Sequence, residues 1–98
     1  MNAKDVLVGV KAILERDGWC KNTLTNEAGQ CCIVGAFDRF WLENAPFREQ
    51  QHNTALGQLE LAVLDRYLTS DIIKFNDTPQ TTQGNVYLVL DDAIQALE

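Results

Sequence analysis

Apolar residues recur at helical spacing through four stretches of this chain, and that periodicity constrains its fold more than any other feature. Val6, Leu7, Val10, Ile13 and Leu14 share one face of a helix expected from about Lys4 to Arg16, with Lys4, Lys11, Glu15 and Arg16 on the other. Asn2 stands where an N-cap belongs, and Asp17-Gly18 stops the helix, since glycine is free to take the left-handed backbone that ends many helices. Ile33, Ala36, Phe37, Phe40 and Trp41 make a second stripe, from near Cys32 to about Asn44. A third helix is expected to start at Asn53 or Thr54 and end around Ser70, with Leu56, Leu59, Val63, Leu64, Tyr67 and Leu68 inward. Leu61 and Ala62 widen that stripe, which makes it the expected central helix. Thr82, with Asn85 three residues on as a capping box, opens a last helix whose inner face is Val86, Leu90, Ala93, Ile94 and Leu97. Asp91, Asp92 and Gln95 face outward there. The expectation is a mainly α fold, a single domain over residues 1–98, with about four amphipathic helices in a small bundle.

Between these stripes the chain uses residues that a generic helix avoids. Residues 19–31 run from Trp19-Cys20 through Asn26-Glu27-Ala28-Gly29-Gln30 to Cys31, and read as one irregular loop or a short β-hairpin. Residues 44–53, broken by Pro46, read as the main exposed connection. Ile72, Ile73 and Phe75 are a short apolar anchor. Phe75-Asn76-Asp77-Thr78-Pro79 then forms a corner before the Thr82 cap.

Those two blocks carry a likeness. Gly18 and Trp19 follow the first helix; Gly29, Cys32, Gly35 and Ala36 follow in a Gly-x-x-Cys-x-x-Gly-Ala run; Asn76, Asp77, Pro79, Thr82 and Val86 come later. In this order the chain resembles a set of small bacterial and phage proteins to which no activity is attached. Two positions depart from that pattern. Phe75 stands where the pattern has Trp, and Thr81 stands where a basic residue precedes the Thr cap. The resemblance implies a shared fold and supplies no chemistry.

Composition narrows the setting. An apolar fraction of 46% is that of a globular chain. No run of about 18 apolar residues is present, so no membrane partner is expected. The start, Met1-Asn2-Ala3-Lys4-Asp5, lacks the basic, apolar and cleavage segments of a secretory leader, and three cysteines make an odd set, so reduced thiols in a cytoplasm are expected. The net charge of −6 is uneven: residues 1–49 hold 7 acids against 6 bases, residues 50–98 hold 7 against 2. Such a chain repels phosphate, which argues against direct nucleic-acid binding, and its acidic half can dock on a basic protein surface. Solubility is the plainer account of the same charge.

Candidate chemistry is sparse. Asp77 either ties down the corner through local hydrogen bonds or presents a carboxylate to a ligand or partner. Cys32 near a helix start, with the single histidine His52 and Asp77 to orient it, would make a thiol triad for a hydrolase or transferase. That triad has no local signature, and His52 sits in the polar connection. No metal-ligand spacing links Cys20, Cys31, Cys32 and His52, so neither metal nor other cofactor is expected. Trp19, Trp41, Phe37, Phe40 and Phe47 read as core, with Trp41 and Phe47 also placed to anchor an interface. Gly18, Trp19, Cys32, Gly35, Asn76, Asp77, Pro79 and Thr82 read as architecture. The leading expectation is therefore a non-enzymatic interaction protein. One version is phage-encoded and inhibits a host nucleic-acid-binding machine through Asp77, Asp91 and Asp92. A pocket for a small ligand between the Trp19 loop and the Asn76-Asp77 corner is the third reading. A homodimer is allowed by leucines on the wide central helix.

Overall fold

Asn2 begins the first helix as its sequence requires. The Asn2 side chain accepts from Asp5 N at 2.9 Å while Asp5 returns the bond to Asn2 N, so the helix α1 covers Ala3–Asp17. The structure is a computed structural model that describes residues 1–46 and 49–98. Helix α2 spans Ile33–Asn44, α3 Glu49–Tyr67, α4 Ile72–Asp77 and α5 Gln83–Ala96. α1 packs on α2, α3 and α5, α3 packs on α5, and the short α4 bridges α2 and α3. The core they enclose holds Val6, Leu7, Val10, Ile33, Phe37, Leu59, Val63, Phe75, Val86 and Leu90. A radius of gyration of 12.3 Å is what one close-packed domain of this length has.

The mainly α expectation holds, with corrections. The apolar anchor Ile72–Phe75 is itself in a helix, so the described residues form five helices rather than about four. Asp71 caps it by accepting from Lys74 N at 3.0 Å, an N-cap that the short apolar run concealed. α3 begins at Glu49 instead of Asn53 or Thr54, because the polar Gln50, Gln51 and His52 are compatible with a helix whose burial comes from its later turns. It ends at Tyr67, before Ser70, where Leu68 takes φ 60° and its amide bonds Leu64 O at 3.1 Å. Its stripe is also narrower. Leu59 and Val63 are buried, but Leu61, Leu64, Tyr67 and Leu68 are exposed, because the helices that pack most on α3, namely α1, α5 and α4, cover the Leu59–Val63 side.

Residues 19–31 form an irregular ribbon, not a hairpin: only isolated bridges join Trp19 to Cys31 in parallel and Thr25 to Cys31 antiparallel. Cys31 is thus the middle of three short extended pieces. Gly18, at φ 94°, makes the turn out of α1, a backbone that a residue with a Cβ rarely adopts. Gly35 is required for another reason. A Cβ there would come 2.2 Å from Leu24 O, so the ribbon lies directly on the first turn of α2.

Candidate functional site

The two sequence blocks meet in space. α4 ends with Asn76 and Asp77, and it carries them against the ribbon. Asn76, 1% exposed, uses its whole amide. Its Oδ1 accepts from Trp19 Nε1 at 2.7 Å and from Ile33 N at 3.1 Å, while Nδ2 donates to Cys20 O at 3.1 Å and to Asp77 Oδ1 at 2.9 Å. One side chain therefore ties together the ribbon, the first amide of α2 and the end of α4. Asp77 Oδ1 also accepts from Asn22 N at 2.8 Å, which holds Asn22 in a left-handed backbone at φ 67°. Lys21 reaches over the Trp19 ring and donates to Thr78 O at 2.8 Å and Pro79 O at 3.1 Å.

Cys32 is the N-cap of α2, and its Sγ accepts from Gly35 N at 3.3 Å. Cys31 and Cys32 are both buried, while Cys20 is half-buried and its thiol donates to Gln30 O at 3.5 Å. Burial is the first cause that pushes the Cys20 and Cys31 thiols above their ordinary pKa. Cys32, Asn22, Leu24, Ile73, Asn76 and Asp77 line one cavity of about 180 Å³. That is smaller than the roughly 300–1,000 Å³ of ordinary ligand pockets. Its polar groups are largely spent on one another.

His52 lies elsewhere. It is on α3, not in a loop, and its ring meets Phe37 and Trp41 edge-on at centroid distances of 5.4 and 5.3 Å. Phe37 and Trp41 follow Cys32 along α2 by one and a half to two and a half turns, so the imidazole sits roughly 7–14 Å along the axis from the thiol. Cys32 and Asp77 come together; His52 does not join them. Trp41 is half-buried in a hollow it shares with Leu42, Glu49 and His52. Phe47 lies outside the described residues. Among the described residues, no cluster of three His, Cys, Asp or Glu is placed to hold a metal, and no helix is long and apolar enough to cross a membrane.

The acidic candidates are partly engaged. Asp91 accepts from Lys11 Nζ at 2.7 Å, and Asp92 pairs with Arg66 across α3 and α5. Pro79 stands in the corner that Lys21 binds, and Thr82 forms the expected reciprocal cap with Asn85. Phe75, in the position where the pattern has Trp, is 2% exposed and lies 4.8 Å from the Tyr67 ring. Thr81, where a basic residue was expected, is buried and donates its hydroxyl to Phe75 O at 2.7 Å.

Two features escaped sequence reasoning. Arg39 spans three segments, donating to Asp17 Oδ2 at 2.7 Å, Gly29 O at 3.1 Å and Thr25 Oγ1 at 3.2 Å. On a helical wheel it is one more polar-face residue, and no spacing announces a partner on α1. The second is a groove of about 890 Å³ between α3 and α5, lined among others by Leu61, Leu64, Leu68, Asp65, Arg66 and Asp92. Leu68 is 88% exposed, Leu61 59% and Leu64 44%. The exposed spacing of Leu61, Leu64 and Leu68 is legible in the sequence, but so is a buried stripe through the same residues.

The profile of a family of unknown function (DUF6197) matches residues 1–96. No curated protein and no solved structure matches the chain.

Proposed function

The chain belongs to the family of unknown function DUF6197, and on that premise we propose that it is a non-catalytic interaction protein that binds another protein through its α3–α5 face. The observation that carries the reading is Leu68. A leucine at φ 60° carries a steric cost of about 1–2 kcal/mol that glycine would avoid. At 88% exposure it also leaves its apolar surface in water. The backbone cost is met in part by the Leu68 amide, which bonds Leu64 O at 3.1 Å and closes α3. The exposed side chain has no such compensation; a partner that covers it would supply one, and Leu61 and Leu64 continue the same surface.

Charge supports a basic partner. Asp65 in the groove and Glu60 beside it form no ion pair among the described residues, and residues 50–98 carry the chain's acidic excess. A phage-encoded inhibitor that occupies the basic groove of a host nucleic-acid-binding machine is one concrete form of this proposal. Thiol catalysis is the less supported reading because Cys32, His52 and Asp77 do not converge, and a small-ligand site because the cavity beside Cys32 is small.

Immobilised protein incubated with bacterial lysate tests the reading. Proteins retained by the wild type are expected to be lost from a Leu61→Asp/Leu64→Asp variant that keeps its circular dichroism spectrum. Equal retention by both would remove the α3–α5 face from the proposal. If Glu60→Gln/Asp65→Asn retains as much at low salt as the wild type, the acidic component is discarded and the apolar one stands.

A further inference from the structure

Three thiols lie within one short ribbon, and the backbone pairing decides which two are neighbours. Cys31 N donates to Gly18 O at 3.0 Å and Cys20 N donates to Cys31 O at 3.0 Å, the pattern that sets Trp19 opposite Cys31 in parallel. The next residue on each piece is a cysteine, so Cys20 stands beside Cys32. Parallel neighbours place their side chains on the same face with backbones roughly 4.8 Å apart. A disulfide needs Cα atoms about 4.4–6.8 Å apart. Cys31 projects to the other face and is fully buried in the core.

The geometry points to Cys20 and Cys32 as a dithiol site that closes to an intramolecular disulfide by exchange with a small-molecule disulfide. Cys20 is half-buried, while Cys32 is buried. After burial, the Cys32 sulfur is the largest cause holding the Cys20 proton on, with Asp77 adding to it and Arg39 opposing.

The steps balance. The Cys20 thiolate attacks one sulfur of the small disulfide, that S–S bond breaks, and half of the reagent leaves as a thiol with the proton Cys20 gave up. The Cys32 thiolate then attacks Cys20 Sγ in the mixed disulfide, forming the Cys20–Cys32 bond and releasing the second half with the other proton. Two electrons pass from the cysteine pair to the reagent. The product clamps the ribbon from Cys20 to Cys32 around the start of α2, and it takes the Sγ that Gly35 N uses as its cap.

Oxidised glutathione is the probe, and a non-reducing digest read by mass spectrometry is the measurement. The wild type is expected to lose two hydrogens, gain no lasting glutathione, and give one linked peptide pair joining Cys20 to Cys32, with Cys31 free for alkylation after unfolding. Cys32→Ser keeps an N-cap for α2, serine being a strong capping residue, and is expected to stop at a glutathione adduct on Cys20. Cys20→Ser is expected to stay unmodified in the folded state. A lasting adduct in the wild type, a link through Cys31, or no reaction at Cys20 each overturns the proposal.

Discussion

Asn76 shows how much one side chain decides in a protein of this size. Its amide meets four partners drawn from the ribbon, α2 and its own corner, and the side chain that makes these bonds is itself 1% exposed. Asn76→Ala leaves Trp19 Nε1, Ile33 N and Cys20 O without this partner. At about 1 kcal/mol for each such group, the variant is expected to lose ~3 kcal/mol, a large share of the stability of a small domain. Urea unfolding followed at the tryptophans measures it, and a loss under ~1 kcal/mol would mean that the corner is not tied as described. Asp77→Asn is expected to cost less, because its amide oxygen can still accept from Asn22 N. Gly35 is constrained by space alone. With Leu24 O only 2.2 Å from where a Cβ would lie, Gly35→Ala must push the ribbon off α2, at about 2 kcal/mol or more.

At the scale of the elements, the ends of the helices are where local chemistry and packing compete. Asn2, Cys32, Asp71 and Thr82 each cap a helix through a side chain, and three of these four are the residue types that the capping rule favours. The end of α3 breaks the pattern, with a leucine in the left-handed position where glycine is usual. Leu68→Gly is expected to stabilise the protein by about 0.5–1 kcal/mol while weakening whatever the α3–α5 face retains. Thermal unfolding and the capture experiment read the two effects, and a variant that is less stable would show that Leu68 is supported from within. α1, α2 and the ribbon are joined by charge. Arg16 bonds Asp17 and Glu43, and Arg39 bonds Asp17 from the other side. Arg16 first, then Arg39, holds the Asp17 carboxyl well below the usual carboxylate range, and Arg16 does the same for Glu43. Both groups ionise more readily folded than unfolded. Their contribution is therefore complete above the ordinary values of 3.8 and 4.5 and is lost as pH falls below them. Stability is expected to be level from neutrality to about pH 5 and then to fall, and less steeply in Arg16→Gln. Because these pairs are partly exposed, added salt should shrink the difference between the two proteins.

For the whole molecule, the distribution of surface is the informative quantity. The bundle is a flattened body of 33 × 32 × 18 Å. α1 lies against three other helices, whereas among the described residues Leu61, Leu64 and Leu68 on α3 and at its end stay exposed. These leucines are exposed at the same time as Asp91 and Asp92 are held by Lys11 and Arg66. The acids that sequence reading placed at an interface thus serve in part to hold helices together. Leu64 and Leu68, which it placed in the core, are exposed. Leu61→Asp/Leu64→Asp should accordingly leave the unfolding midpoint within about 0.5 kcal/mol equivalent of the wild type, as surface changes do. A large destabilisation would show that this face is internal to the fold.

The sequence alone determined the helical class, the ends of α1, and the starts of α2 and α5, because caps, glycine stops and 3.6-residue periodicity act within a few residues along the chain. It also marked the Gly-Trp-Cys and Asn-Asp blocks as special, since glycine, proline and asparagine are costly where nothing requires them. The tertiary structure decided what those blocks do. Trp19 and Asn76 are 57 residues apart, and no local rule says that they will share a hydrogen bond. It also decided which side of α3 is inside. A wide apolar helix satisfies its periodicity with any of several faces inward, and the positions of its neighbours, α1, α4 and α5 above all, choose among them. That choice buried Leu59 and Val63 and left Leu61, Leu64 and Leu68 in water.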